Sequence, residues 1–137
     1  MKDDGKRALE RIILWLGVLT FGGFGVAFIV AFDGIARTLG IVTGATGRVD
    51  LIATYVGFEL GFAIFLALCA LRREWLRMGL IASGLAFAGF GTARGIALAL
   101  HHAEAATFLW YLFAAEAVGG AVSFWAASRV GDPEQER

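Results

Sequence analysis

Three ionisable residues stand inside otherwise apolar runs: Glu59 in YVGFELGFAIF (55–65), Arg94 in GTARG (91–95) and Glu116 in LFAAEAVGG (112–120). A charge near the centre of a bilayer costs about 2.5–3.5 kcal/mol on insertion scales, so three left unpaired would cost about 8–10 kcal/mol. They are therefore expected to face a protein interior and to find one another. Two carboxylates against one guanidinium leave a surplus negative charge. In low dielectric the favoured arrangement is an ion pair beside one carboxylic acid that holds a proton. Such a cluster can relay a proton, coordinate the polar head of an amphiphile, or simply pin three helices in register. Tyr55 shares a helix face with Glu59 at i, i+4 and joins the candidate ligand-binding or proton-holding set of Glu59, Arg94 and Glu116.

Other chemistry lacks its parts. Ser83, Thr92 and Ser123 have no His and Asp companions at membrane depth, so nucleophilic catalysis lacks its base. His101, His102 and Glu104 lie together, but adjacent histidines on a helix point about 100° apart and chelate poorly. They read as an interfacial, solvated group, and no metal or other cofactor is expected. Cys69 is the single cysteine, which excludes an intramolecular disulfide and leaves helix packing as its role. With no catalytic constellation, a non-enzymatic protein is the favoured class.

The elements that must position these residues are membrane spans. The 137-residue chain is 58% hydrophobic, against about 45–50% apolar content in soluble domains, and its mean hydropathy is +0.72. Four stretches of 21 to 23 residues, 12–32, 49–71, 78–100 and 105–127, can each cross a hydrocarbon core; a core about 30 Å thick needs about 20 residues of helix. A backbone in lipid must satisfy its own hydrogen bonds, and the period-2 alternation of a barrel is absent, so the spans are helices. The predicted fold is all-α: a single domain, an antiparallel bundle of four transmembrane helices, with a disordered tail over 130–137.

Charge placement predicts orientation. Lys2, Lys6, Arg7, Arg11, Arg72, Arg73, Arg77, Arg129 and Arg137 gather on one side and only Arg37 and Arg48 on the other. The positive-inside rule then puts both termini in the cytoplasm and the protein in the inner (plasma) membrane. The first span is long for a signal peptide and lacks an A-x-A-like cleavage site, so it is expected to remain. Zero net charge and the absence of a basic stripe exclude nucleic acid as a partner. The short turns at 72–77 and 101–104 predict antiparallel neighbours. The 33–48 loop, with Ile35, Leu39 and Val42 at helical spacing, predicts a short interfacial helix.

Nineteen glycines supply the packing. Helices in lipid associate through close contact at small residues. Gly57 and Gly61 form a GxxxG pair, Gly84, Ala88, Gly91 and Gly95 draw a stripe, and Ala115 and Gly119 repeat the spacing. Packing within the chain is the primary expectation, with a homodimer or larger membrane complex as the alternative. FGGFG at 21–25 lacks a preceding strand and the GxGxxG spacing, and reads as a kinkable, closely packed part of the first helix.

The pattern R-x-D-L-x-A-T-Y-x-G-F-E-L-G-F-A-I-F-L at 48–66, G-T-A-R-G at 91–95 and the glutamate at 116 resemble the four-helix membrane proteins of domain-of-unknown-function family 4345, over nearly the whole chain. More distantly, the Gly-x-Glu-Leu-Gly element is similar to that of DoxX-like membrane proteins. The resemblance implies a four-span bundle without established chemistry. The expected function is that of an accessory membrane protein or a binder of membrane lipid, a small amphiphile or a quinone. The alternative is a proton-linked carrier or quinone-linked redox protein.

Overall fold

The computed structural model describes residues 7–42, 44–101 and 105–130, and every regular element among them is helical. Helix α1 is Ala8–Thr38 and α2 is Ala45–Ile52; a π-helical stretch, Ala53–Phe58, leads into α3, Glu59–Leu71. A single 3-10 turn, Arg73–Trp75, precedes α4, Leu76–His101, and α5 is Thr107–Arg129. Together they make four helices long and apolar enough to span a membrane, Ala8–Thr38, Ala45–Leu71, Arg73–His101 and Thr107–Arg129. This is an all-α membrane protein. The tail from residue 131, with His102 and Glu104, lies outside the described residues.

The first three membrane-length helices run beyond the predicted spans, over Ala8–Thr38, Ala45–Leu71 and Arg73–His101, while the last, at Thr107–Arg129, lies two residues later than predicted. Two helical pieces meet at Ala31 within α1, so the piece that runs on to Thr38 covers the first part of the short helix expected in the 33–48 loop, and α2 starts within the same segment. The predicted flexible point at FGGFG stays helical; the backbone departs from helical angles at Ala31, at φ −131° and ψ 32°. This bend comes just before Phe32 and Asp33, the two residues that Arg48 engages. Its Nη1 lies 2.6 Å from Asp33 Oδ1, and its guanidinium stands 4.4 Å from the centre of the Phe32 ring. The pair closes the connection between α1 and α2.

The chain groups into two compact units, Trp15–Leu68 and a second made of Met1–Leu14 with Cys69–Arg137. In the first, α1 and α3 run antiparallel, for as α1 positions rise their partners fall. Phe21 meets Phe62 edge-on at 4.8 Å, Gly25 lies beneath Leu60, and Phe28 stacks on Tyr55 at 4.6 Å with the planes 7° apart. A Cβ at Gly25 would come within 2.8 Å of Leu60 Cδ2, so the close crossing at this point needs glycine. Phe28, Phe32 and Ala36 form the buried centre, with Ile35, Leu39 and Tyr55 packed around it.

The second unit is built on the α4–α5 pair. Here the small-residue stripe meets aromatic rings: Gly84 lies against Phe124, Gly119 against Phe87, and Gly95 against Phe113. A Cβ at Gly120 would lie 3.5 Å from the Ala88 backbone nitrogen, and buried Ser83 and Ser123 hydroxyls meet at 3.4 Å. Each glycine admits a ring that a side chain would displace, and this is how close packing replaces the hydrophobic effect between helices in lipid. At the other end of the unit, Cys69 fills the space that a Cβ on Gly79 would need.

Candidate functional site

Arg94 and Glu116 meet across the α4–α5 seam. The guanidinium forks onto the carboxylate: Nε donates to Oε1 at 3.1 Å and to Oε2 at 2.9 Å, and Nη2 donates to Oε1 at 2.7 Å. Such a two-pronged, charge-assisted contact is among the stronger polar interactions available to side chains. It is also sheltered, the side chains being 26% and 13% exposed. Gly91, one turn before Arg94, faces Glu116 across the seam, and a Cβ there would lie 3.4 Å from Glu116 Cβ, an ordinary contact.

The ion pair divides two grooves of the same unit. The larger, about 420 Å³, is lined by Phe90, Ala93, Arg94, Ala97, Leu98 and His101 of α4, together with Ala105 and Leu109. The smaller, about 220 Å³, is lined by Gly91, Thr92, Phe113, Glu116 and Ala117 among others. Arg94 and His101 are the ionisable residues of the larger groove among the described residues, and Glu116 that of the smaller. One pair thus turns its positive end to one groove and its negative end to the other. Binding pockets for small molecules occupy about 300–1,000 Å³, so only the larger is of that size.

Glu59 and Tyr55 belong to the other unit. Glu59 is 6% exposed, and its Oε2 has no hydrogen-bond partner among the described residues. It is the first residue after the π-helical Ala53–Phe58, whose Thr54, Val56 and Gly57 are weak α-helix formers. Single π turns inside α-helices recur at functional positions. The Tyr55 ring is engaged in its stack on Phe28.

Residues 9–127 match the family described as a domain of unknown function, DUF4345. The chain belongs to this family. The DUF4345 match takes in Glu59, Arg94 and Glu116 along with all four membrane-length helices. No curated protein and no solved structure matches the chain.

Among the predicted packing glycines of this DUF4345 protein, Gly84, Gly91, Gly95 and Gly119 line the α4–α5 seam. A Cβ at Gly57 or at Gly61 would meet nothing within 4 Å among the described residues. A GxxxG spacing puts two small residues on one face but names no partner for that face. Sequence reasoning missed the contact of Glu10 with Arg129, where Oε1 lies 3.7 Å from Nε and Glu10 is buried at the start of α1. The signal was present, as an acid and a base at the beginning of the first span and the end of the last.

Proposed function

We propose that this DUF4345 protein is a non-enzymatic accessory protein of the inner membrane that holds a small amphiphile in the larger α4–α5 groove. The observation that carries the reading is the placement of Arg94. Its charge is sheltered and partnered by Glu116, yet the residue lines a groove of about 420 Å³ whose other walls are mostly apolar. An apolar cleft with one or two fixed polar groups is the usual form of a small-molecule site. Lys2, Lys6, Arg7 and Arg11 around the start of α1, Arg72, Arg73 and Arg77 around the α3–α4 connection, and Arg129 and Arg137 at and beyond the end of α5, against Arg37 and Arg48 on the other side, support cytoplasmic termini, and the contact of Glu10 with Arg129 joins the start of α1 to the end of α5.

The test is untargeted mass spectrometry of what remains bound after gentle detergent extraction. The expected result is one class of amphiphile on the native protein and its loss in Ala97→Trp, which fills the groove. An empty native protein contradicts the reading.

A second reading, proton-linked transport, is favoured by Glu59, a buried carboxyl with an oxygen that has no hydrogen-bond partner among the described residues, beside a π-helical turn. Intramembrane carboxyls of this kind mark proton pathways. Proteoliposomes that carry protons with the native protein but not with Glu59→Gln would support it, and equal flux in both would dismiss it.

A further inference from the structure

We propose that the larger groove recognises an anionic phospholipid, with His101 meeting the phosphate, Arg94 the ester region beneath it, and one acyl chain lying along Phe90 and Ala97. This deepens the amphiphile reading and rests on it. The groove runs along one face of α4, where Phe90, Ala97 and His101 recur at helical spacing. His101 is the last residue of α4 and is exposed, which places it at the level of lipid headgroups. Arg94 lies two turns deeper, about 10 Å along the axis. A lipid presents its polar groups in the same order, with phosphate outermost, then ester carbonyls, then hydrocarbon.

The charge of the groove selects among lipids. Both ionisable residues that line it are basic, while Glu116, which neutralises Arg94, lines the smaller groove on the other side. An anionic headgroup therefore meets the positive end of the ion pair and no acidic wall among the described residues. Basic pockets between transmembrane helices are a known means of holding anionic lipid heads. A zwitterionic headgroup would also bring its own cation toward the guanidinium end of the pair, with no carboxylate among the described lining residues to receive it.

The test is native mass spectrometry of the full-length protein equilibrated with equimolar phosphatidylglycerol and phosphatidylcholine. The native protein is expected to retain phosphatidylglycerol about tenfold better, a difference of about 1.4 kcal/mol. His101→Gln, at an exposed position, should keep the fold and most of this preference should disappear. Excess inorganic phosphate should leave the lipid adduct in place. Equal retention of the two lipids by the native protein overturns the charge recognition and leaves the amphiphile site standing. Displacement by inorganic phosphate makes the ligand a free anion and overturns the lipid assignment. Undiminished lipid on Ala97→Trp overturns the groove itself, and with it the reading on which this proposal rests.

Discussion

Arg94 and Glu116, twenty-two positions apart in sequence, grip each other with three hydrogen bonds of 2.7 to 3.1 Å between α4 and α5. Neither charge could enter a bilayer alone without penalty, and each is the other's means of doing so. Glu116→Ala leaves the guanidinium in the seam without its carboxylate. The expected loss is about 3 kcal/mol, near the low end for a broken buried pair because Arg94 keeps some exposure. Replacing both residues, as Arg94→Met with Glu116→Leu, should recover most of that loss. Unfolding in a graded detergent mixture measures both, and equal damage in the single and double variants would contradict this account of the pair.

The same seam sets a second expectation. A Cβ at Gly84 falls 2.8 Å from the Phe124 ring and one at Gly95 falls 2.8 Å from the Phe113 ring. Gly84→Val and Gly95→Val should each lower stability by about 1–3 kcal/mol through overpacking. A paired Phe124→Leu should relieve the first and not the second, as a thermal melt in detergent would reveal.

Gly57 and Gly61 should behave in the opposite way. With nothing among the described residues within 4 Å of a Cβ at either position, alanine adds no clash there and removes glycine's excess freedom in the unfolded chain. Each Gly→Ala change is expected to raise monomer stability by about 0.4–1 kcal/mol. If crosslinking in membranes detects a dimer that these changes abolish, the open face is an interface between copies. Unaltered association would assign it to lipid.

Glu59 is expected to lower stability where it stands. Glu59→Gln keeps the shape and removes the ionisable group from a site where Oε2 has no hydrogen-bond partner among the described residues, so the variant should be more stable, by about 1 kcal/mol or more. A buried carboxyl that weakens the fold points to a role outside packing. A variant that melts lower than the native protein would make Glu59 a structural residue.

Much of this was visible in the chain itself, because the bilayer permits few solutions. Spans such as 78–100 and 105–127 are legible from length and apolarity alone, and Arg94 and Glu116 stand out because lipid makes every buried charge conspicuous. The short turn between α4 and α5 makes these helices neighbours, which brings their two charges within reach. What could not be read depends on partners that a linear pattern does not name. The GxxxG of Gly57 and Gly61 has the right spacing, and a Cβ at either would meet nothing within 4 Å among the described residues. The bend at Ala31, away from the glycines of FGGFG, lies next to residues held by Arg48, a contact between positions fifteen apart. Glu10 and Arg129 were hidden because charges at span ends are first taken as signals of orientation. The division of the Arg94–Glu116 pair between two grooves emerges only once α4 and α5 are packed.

The most direct test of a ligand site beside the ion pair is photo-crosslinking with a lipid carrying a photoreactive group on its acyl chain, followed by peptide mapping. The account predicts label concentrated on the face of α4 around Phe90, Ala93 and Ala97 and on Leu109 at the start of α5, and its loss in Ala97→Trp. Label spread evenly over the exposed apolar residues of all four helices, unchanged in that variant, would contradict it.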